Sequence, residues 1–133
     1  MIDHVGITVS NFEQSKSFYS KALSPIGYVL MMEVPQSVSG GKDFAGFGAP
    51  PKPDFWIGGN AADIQPIHIA FSTQDRAQVQ AFYDAAIAAG GRGNGAPGLR
   101  PHYHPHYYAA FVLDPDGHNV EVVCHAPASS DEL

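Results

Sequence analysis

The sequence predicts an α+β fold made of two βαβββ units that repeat one another. Four observations carry this expectation. A shift of 64 residues puts His4 on His68, Val5 on Ile69, Ile7 on Phe71 and Thr8 on Ser72. The same shift, unaltered, puts Phe18-Tyr19 on Phe82-Tyr83, Ala22 on Ala86 and Gly27 on Gly91. Each half also has one apolar stripe at helical period: Phe12, Tyr19 and Leu23 with Ala22, then Val79, Phe82, Ala86 and Ala89. Finally, Asp114-Pro115-Asp116-Gly117 is a turn, since proline presets its second position and glycine accepts the exit geometry. Residues 107–113 and 119–124 on either side form a hairpin.

Taken in order, residues 2–9 read as a strand with Ile2, His4, Gly6 and Thr8 on one face and Val5, Ile7 and Val9 on the other. Ser10-Asn11-Phe12-Glu13 has capping-box spacing, and Ser24-Pro25 with Gly27 ends the helix it starts. Residues 28–34 are a strand, 37–41 a flexible turn and 43–48 a second strand. Ala49-Pro50-Pro51-Lys52-Pro53 is a stiff connector, and residues 54–58 are a third strand bearing the only tryptophan, Trp56. The joint follows, so residues 1–62 and 63–126 are expected as the two modules of one structural domain, with a frayed tail at 127–133. Residues 66–72 are a strand, Thr73-Gln74-Asp75 opens the second helix, and Gly90-Gly91 closes it. Residues 92–105, rich in Gly and Pro, hold a strand only loosely.

Composition narrows the function. Apolar residues make up 44% and aromatics 11%, as in a folded globular chain. Seven Lys/Arg, none clustered, against 13 Asp/Glu give a net charge of −6 and argue against nucleic acid. No apolar run of membrane-spanning length is present, and no secretory leader is visible. The single cysteine, Cys124, excludes an internal disulfide and fits a reducing cytoplasm, with the thiol expected as a small buried apolar group.

The chemistry gathers on a few residues. Glu121 sits in mid-strand among valines, where an unpaired carboxylate costs several kcal/mol. His4 and His68 occupy equivalent places in the repeat. Two imidazoles and one carboxylate from different strands are the ligand set of a facial triad, suited to one divalent ion of Fe, Mn, Zn or Ni. In Arg100-Pro101-His102-Tyr103-His104-Pro105-His106-Tyr107-Tyr108 the histidines alternate, a spacing that could bind metal if extended, but prolines at 101 and 105 oppose regular geometry. The stretch reads as a lip over a cavity, with exposed loop histidines as the alternative. His104 and Tyr108 are its candidates for proton transfer, and Arg100 for pairing an anionic substrate group. His118 and His125 read as surface residues. Trp56, with Phe47, Phe55 and Phe71 as neighbours, is a candidate wall of a substrate cavity, with plain core packing as the alternative for these rings.

These residues reach a family. The chain resembles the vicinal oxygen chelate superfamily, which includes glyoxalase I, extradiol dioxygenases, fosfomycin-resistance proteins and bleomycin-binding proteins. The resemblance spans about residues 2 to 125. It rests on Asp3-His4-Val5-Gly6-Ile7, on Ile67-His68-Ile69-Ala70-Phe71 and on the string from Phe111 to Glu121. It implies two βαβββ modules in a cupped, incomplete barrel, metal ligands at His4, His68 and Glu121, and a homodimer. A fourth carboxylate ligand of glyoxalase I has no clear counterpart, because Trp56 or Ile57 stands in its place and Asp54 lies earlier on the strand. The resemblance implies a metal-dependent enzyme acting on a small molecule with vicinal oxygens, as a lyase, isomerase or ring-cleaving dioxygenase. The alternative is a non-catalytic binding protein like the bleomycin-sequestering members.

Overall fold

The computed structural model describes residues 1–128, and of the expected tail at 127–133 residues 129–133 lie outside the described part. The first module runs β1 (Val5–Thr8), α1 (Phe12–Ala22), β2 (Val29–Val34), a short α2 (Gln36–Ser39), β3 (Asp43–Gly48) and β4 (Phe55–Gly59). The second runs β5 (His68–Thr73), α3 (Arg76–Ala88), β6 (Arg92–Leu99), β7 (Tyr108–Leu113) and β8 (Asn119–Cys124). Each forms a four-stranded mixed sheet, in the orders β1-β4-β3-β2 and β5-β8-β7-β6. In each the first strand runs parallel to the last. The predicted duplication of a βαβββ unit is therefore the architecture found.

Local differences from the sequence reading have physical causes. Asn11, not Ser10, caps α1 by accepting the Gln14 N–H at 3.1 Å. Ser10 is engaged elsewhere, bonding Asp116 through both its backbone N–H and its hydroxyl. The expected flexible turn at 37–41 is mostly the helical turn α2, which ends at Gly40 with φ of 87°. Residues 92–99 form a full strand, because β6 is a sheet edge where Pro97 need not donate and the glycines absorb two slips of register.

One hydrophobic core lies between the sheets and the helices and runs through both modules. Tyr19 meets Phe55 at 5.0 Å, Phe55 meets Phe71 at 5.2 Å, and Phe71 meets Tyr28 at 5.4 Å between ring centroids. Phe47, Phe55 and Phe71 are thus core rings, and they do not form a cavity wall with Trp56. Alternation along β4 sends Phe55 and Ile57 inward and the half-buried Trp56 to the opposite face.

The Asp114–Gly117 turn ties the modules together. Asp114 Oδ2 accepts the Tyr19 hydroxyl at 2.6 Å, and Oδ1 accepts the N–H groups of Asp116 and His118 at 2.9 and 2.8 Å. Burial, then the Asp114 charge, holds the Tyr19 phenol well above its ordinary pKa. His118, expected at the surface, is 1% exposed. Its Nδ1 accepts the Ile67 N–H at 3.0 Å, so its Nε2–H donates to the Thr8 carbonyl at 2.8 Å. Among the described residues, no helix is long and apolar enough to cross a membrane.

Candidate functional site

Strand register decides which side chains share a face. Across the second sheet Ala70 stands opposite Glu121 and Glu121 opposite Phe111, while Val123 pairs with Ala109. Alternation sends Val112, Val120 and Val122 into the core. His68, Asn119, Glu121, Phe111 and, at the same parity, Tyr107 take the other face. There they line a cavity of about 510 Å³ together with Tyr103 and His104.

Glu121 is 2% exposed, and both of its oxygens are engaged. The Tyr107 hydroxyl donates to Oε2, and His68 Nε2 lies 3.0 Å from Oε1. Burial first, then the Glu121 hydrogen bond and charge, pushes the Tyr107 phenol up to about 12. The His68 ring stands half-exposed, 6.2 Å from the Phe111 ring and stacked on it.

The tautomer of His68 follows from its partners. Nδ1 lies 3.0 Å from the Asn119 carbonyl, which can only accept, so Nδ1 carries the proton. In neutral imidazole, Nε2 then turns a lone pair toward a carboxylate oxygen. Two electron pairs in contact repel unless a cation stands there, either a second proton on His68 or a divalent ion between the two atoms. Imidazole and carboxylate atoms that share one ion with bonds of about 2.0–2.1 Å lie about 2.9–3.4 Å apart, the separation seen here. An imidazole whose other N–H is fixed by a backbone carbonyl is also the usual arrangement of a metal-ligating histidine. The donor pair fits half of a metal site.

The other half is elsewhere. His4 pairs with Asp3 at 2.7 Å and lines a separate cavity of about 150 Å³ with Tyr28, Asp54 and Ile69. Lys52 draws the Asp3 carboxyl below its ordinary pKa, and His4 adds to this. Asp54 accepts the Tyr28 hydroxyl at 3.0 Å, and this bond, behind burial, raises the Tyr28 phenol. Among the described residues, no group of three or more His, Cys, Asp or Glu is placed to hold an ion. One chain brings His68 and Glu121 together, without His4.

The histidine-rich lip does not alternate. The Tyr103 N–H bonds the Arg100 carbonyl at 2.9 Å and the Tyr107 N–H bonds the His104 carbonyl at 3.2 Å, giving two turns, each with proline in second place. His104 lines the cavity. Its Nδ1 accepts the His106 N–H at 3.0 Å, so its Nε2–H donates to His125 Nδ1 at 2.6 Å. His125 is exposed, as predicted, and its ring stacks on His104 at 4.8 Å. Arg100 lies over Phe111, but its guanidinium is committed to the Gly98 and Ala96 carbonyls at 2.8 Å each.

Tyr108 faces away from the cavity. Gln80 donates to its hydroxyl at 2.9 Å, Arg76 lies over its ring, and it lines another cavity of about 390 Å³ beside α3. The phenol beside Glu121 belongs to Tyr107, which sequence reasoning passed over along with Tyr103, Phe111 and Asn119. The signal for Tyr107 was present. A hairpin closed at 114–117 puts Phe111 opposite Glu121, and counting back in twos reaches Ala109 and Tyr107.

Residues 27–122 match the Glyoxalase/Bleomycin resistance protein/Dioxygenase superfamily. Solved structures agree. A glyoxalase/bleomycin resistance protein from Albidiferax ferrireducens is 26% identical with a TM-score of 0.73, over 92% of this chain and 96% of that one. A glyoxalase I variant from Zea mays is 25% identical with a TM-score of 0.67, over 92% of this chain. The match spans only 46% of that glyoxalase I. A glyoxalase-related enzyme from Fulvimarina pelagi shares the fold at 17% identity and a TM-score of 0.67, over 100% of this chain and 95% of that one. No curated protein gives a significant match.

Proposed function

Because the chain belongs to the Glyoxalase/Bleomycin resistance protein/Dioxygenase superfamily, we propose that it is a metal-dependent enzyme acting on a small molecule with two adjacent oxygens. The reaction is lyase or isomerase chemistry, or ring cleavage with O₂ if the ion is iron. The observation that carries this reading is Nε2 of His68 directed at the buried Glu121 carboxylate 3.0 Å away, with Nδ1 fixed by the Asn119 carbonyl.

His68 and Glu121 hold the ion in this reading, and His4 of a second copy of the chain supplies the third ligand in a homodimer. The half-site within one chain and the exposure of His4 support that arrangement. Trp56 of the second copy then faces the cavity from the opposite sheet. When bound, the ion supplies Lewis acidity toward the negative charge that develops on the substrate oxygens. The chain's own residues do the rest. Tyr103 and Phe111 flank the substrate and exclude water. Glu121, as ligand, fixes the charge of the site. His104, with its Nδ1 accepting the His106 N–H and its Nε2–H bonded to the exposed His125, is held in one orientation at the cavity wall. Arg100, held over Phe111, adds positive potential for an anionic group.

The test is elemental analysis of protein purified without chelators or a histidine tag, beside His68→Ala. The expected result is roughly one divalent metal per chain, lost in the variant. No metal after incubation with Fe(II), Mn(II), Zn(II) or Ni(II) overturns the reading. The aromatic walls, Tyr103, Tyr107 and Phe111, favour a second reading, a non-catalytic trap for a flat small molecule. Tight ligand retention with neither turnover nor metal identifies that case.

A further inference from the structure

We propose that Tyr107 is the positioning residue of the centre: its hydroxyl occupies one oxygen of Glu121 so that the carboxylate offers a single oxygen, Oε1, beside His68. This rests on the metal-binding reading above.

The geometry gives the phenol that role. Glu121 is buried among strand residues, and its carboxylate could turn either oxygen, or both, into the cavity. The Tyr107 hydrogen bond to Oε2 removes one of them and leaves Oε1 next to Nε2 of His68. Tyr107 itself is firmly placed. Its N–H closes the second turn of the lip on the His104 carbonyl, and its carbonyl accepts the Arg100 N–H at 2.7 Å. Its ring is walled by Tyr103 at 4.8 Å, His125 at 5.2 Å and His104 at 5.5 Å between centroids. The two prolines of the lip thus serve to hold one hydroxyl against one carboxylate.

Outer-shell partners of this kind tune affinity and geometry without touching the ion. Without the phenol, Glu121 is free to chelate with both oxygens or to rotate away. The ion would then gain an oxygen or be held more weakly.

The experiment compares Zn(II) affinity by calorimetry, and the visible spectrum of the Co(II)-loaded protein, for wild type, Tyr107→Phe and Tyr108→Phe. The expected result is about 10–100-fold weaker Zn(II) binding and an altered Co(II) spectrum in Tyr107→Phe, with Tyr108→Phe matching wild type. Unchanged affinity and superimposable spectra in Tyr107→Phe overturn the proposal while leaving the metal reading standing. Failure of the wild type to bind either ion overturns both. If Tyr107→Phe does not fold, the infrared splitting of the carboxylate stretches in Zn(II)-loaded wild type decides. A wide, monodentate splitting supports the assignment, and a narrow, bidentate one rejects it.

Discussion

Trp56 and Glu121 occupy the same register position in the two modules. Trp56 pairs across its sheet with Gly6 and Gly46, as Glu121 pairs with Ala70 and Phe111. The pseudo-twofold therefore sets an indole where its mate sets a carboxylate. The indole is accommodated by the glycine beneath it, since a Cβ at Gly46 would come within 2.8 Å of the ring. Gly46→Ala should cost about 1–3 kcal/mol in urea denaturation. Gly6→Ala, where an added Cβ meets nothing within 4 Å, should stay within about 0.5 kcal/mol of wild type. Equal effects at both positions would show that the indole does not rest on Gly46.

The neutral replacement of the carboxylate separates binding from stability. In Glu121→Gln the amide N–H can donate to the free Nε2 of His68, while the amide oxygen still accepts from Tyr107. Measured with a chelator present, the variant should be as stable as wild type or about 1 kcal/mol more so. Without chelator it should carry no ion. Retention of wild-type metal content by this variant would place the ion away from Glu121.

His118 fastens two backbone groups from different modules, the Ile67 N–H and the Thr8 carbonyl. His118→Ala removes both bonds at a part-buried place, each worth about 0.5–1.5 kcal/mol. The urea midpoint should fall accordingly, by more than for His125→Ala at the surface. Comparable losses from the two variants would deny His118 its fastening role.

Three phenols make stability depend on alkaline pH. Tyr19, Tyr28 and Tyr107 all have raised pKa values in the fold, Tyr107 at about 12. The unfolded chain titrates near about 10. A raised value favours the protonated, folded form, so this contribution is complete below about pH 10 and declines as pH rises from about 10 to 12. Urea midpoints followed over that range should drop, and Tyr19→Phe should flatten the slope. An identical slope in the variant would count against the buried phenol as its source.

The repeat was legible because sequence shift and fold agree over β1 and β5 and over the two long helices. It misled at β4. The shift of 64 sets Ile57 on Glu121, whereas pairing sets Trp56 there, a shift of 65. One extra residue ahead of the last two strands of the second module turns the comparison by one side chain, and in a strand that exchanges the faces. The same period of two hid Tyr107. Histidines at every second position invited an extended, alternating reading, but Pro101 and Pro105 each sit in a turn, and only the hairpin count restores the parity of 107 and 108. His118 follows a turn glycine and looks exposed by position. Only the first module, folded against it, buries the ring. What could not be read was contact across a long sequence distance.

Ser10 and Asp116 are 106 residues apart, yet they share two hydrogen bonds. A chain emerging from the ribosome completes its first module long before the partner for Ser10, Tyr19 and Thr8 exists. Until β5 is out Phe55 lacks Phe71, and until the last hairpin is out Tyr19 lacks the Asp114 carboxylate. Closure of so long a loop comes late in folding. During synthesis the first module is therefore an unfinished surface until the final strands cover it.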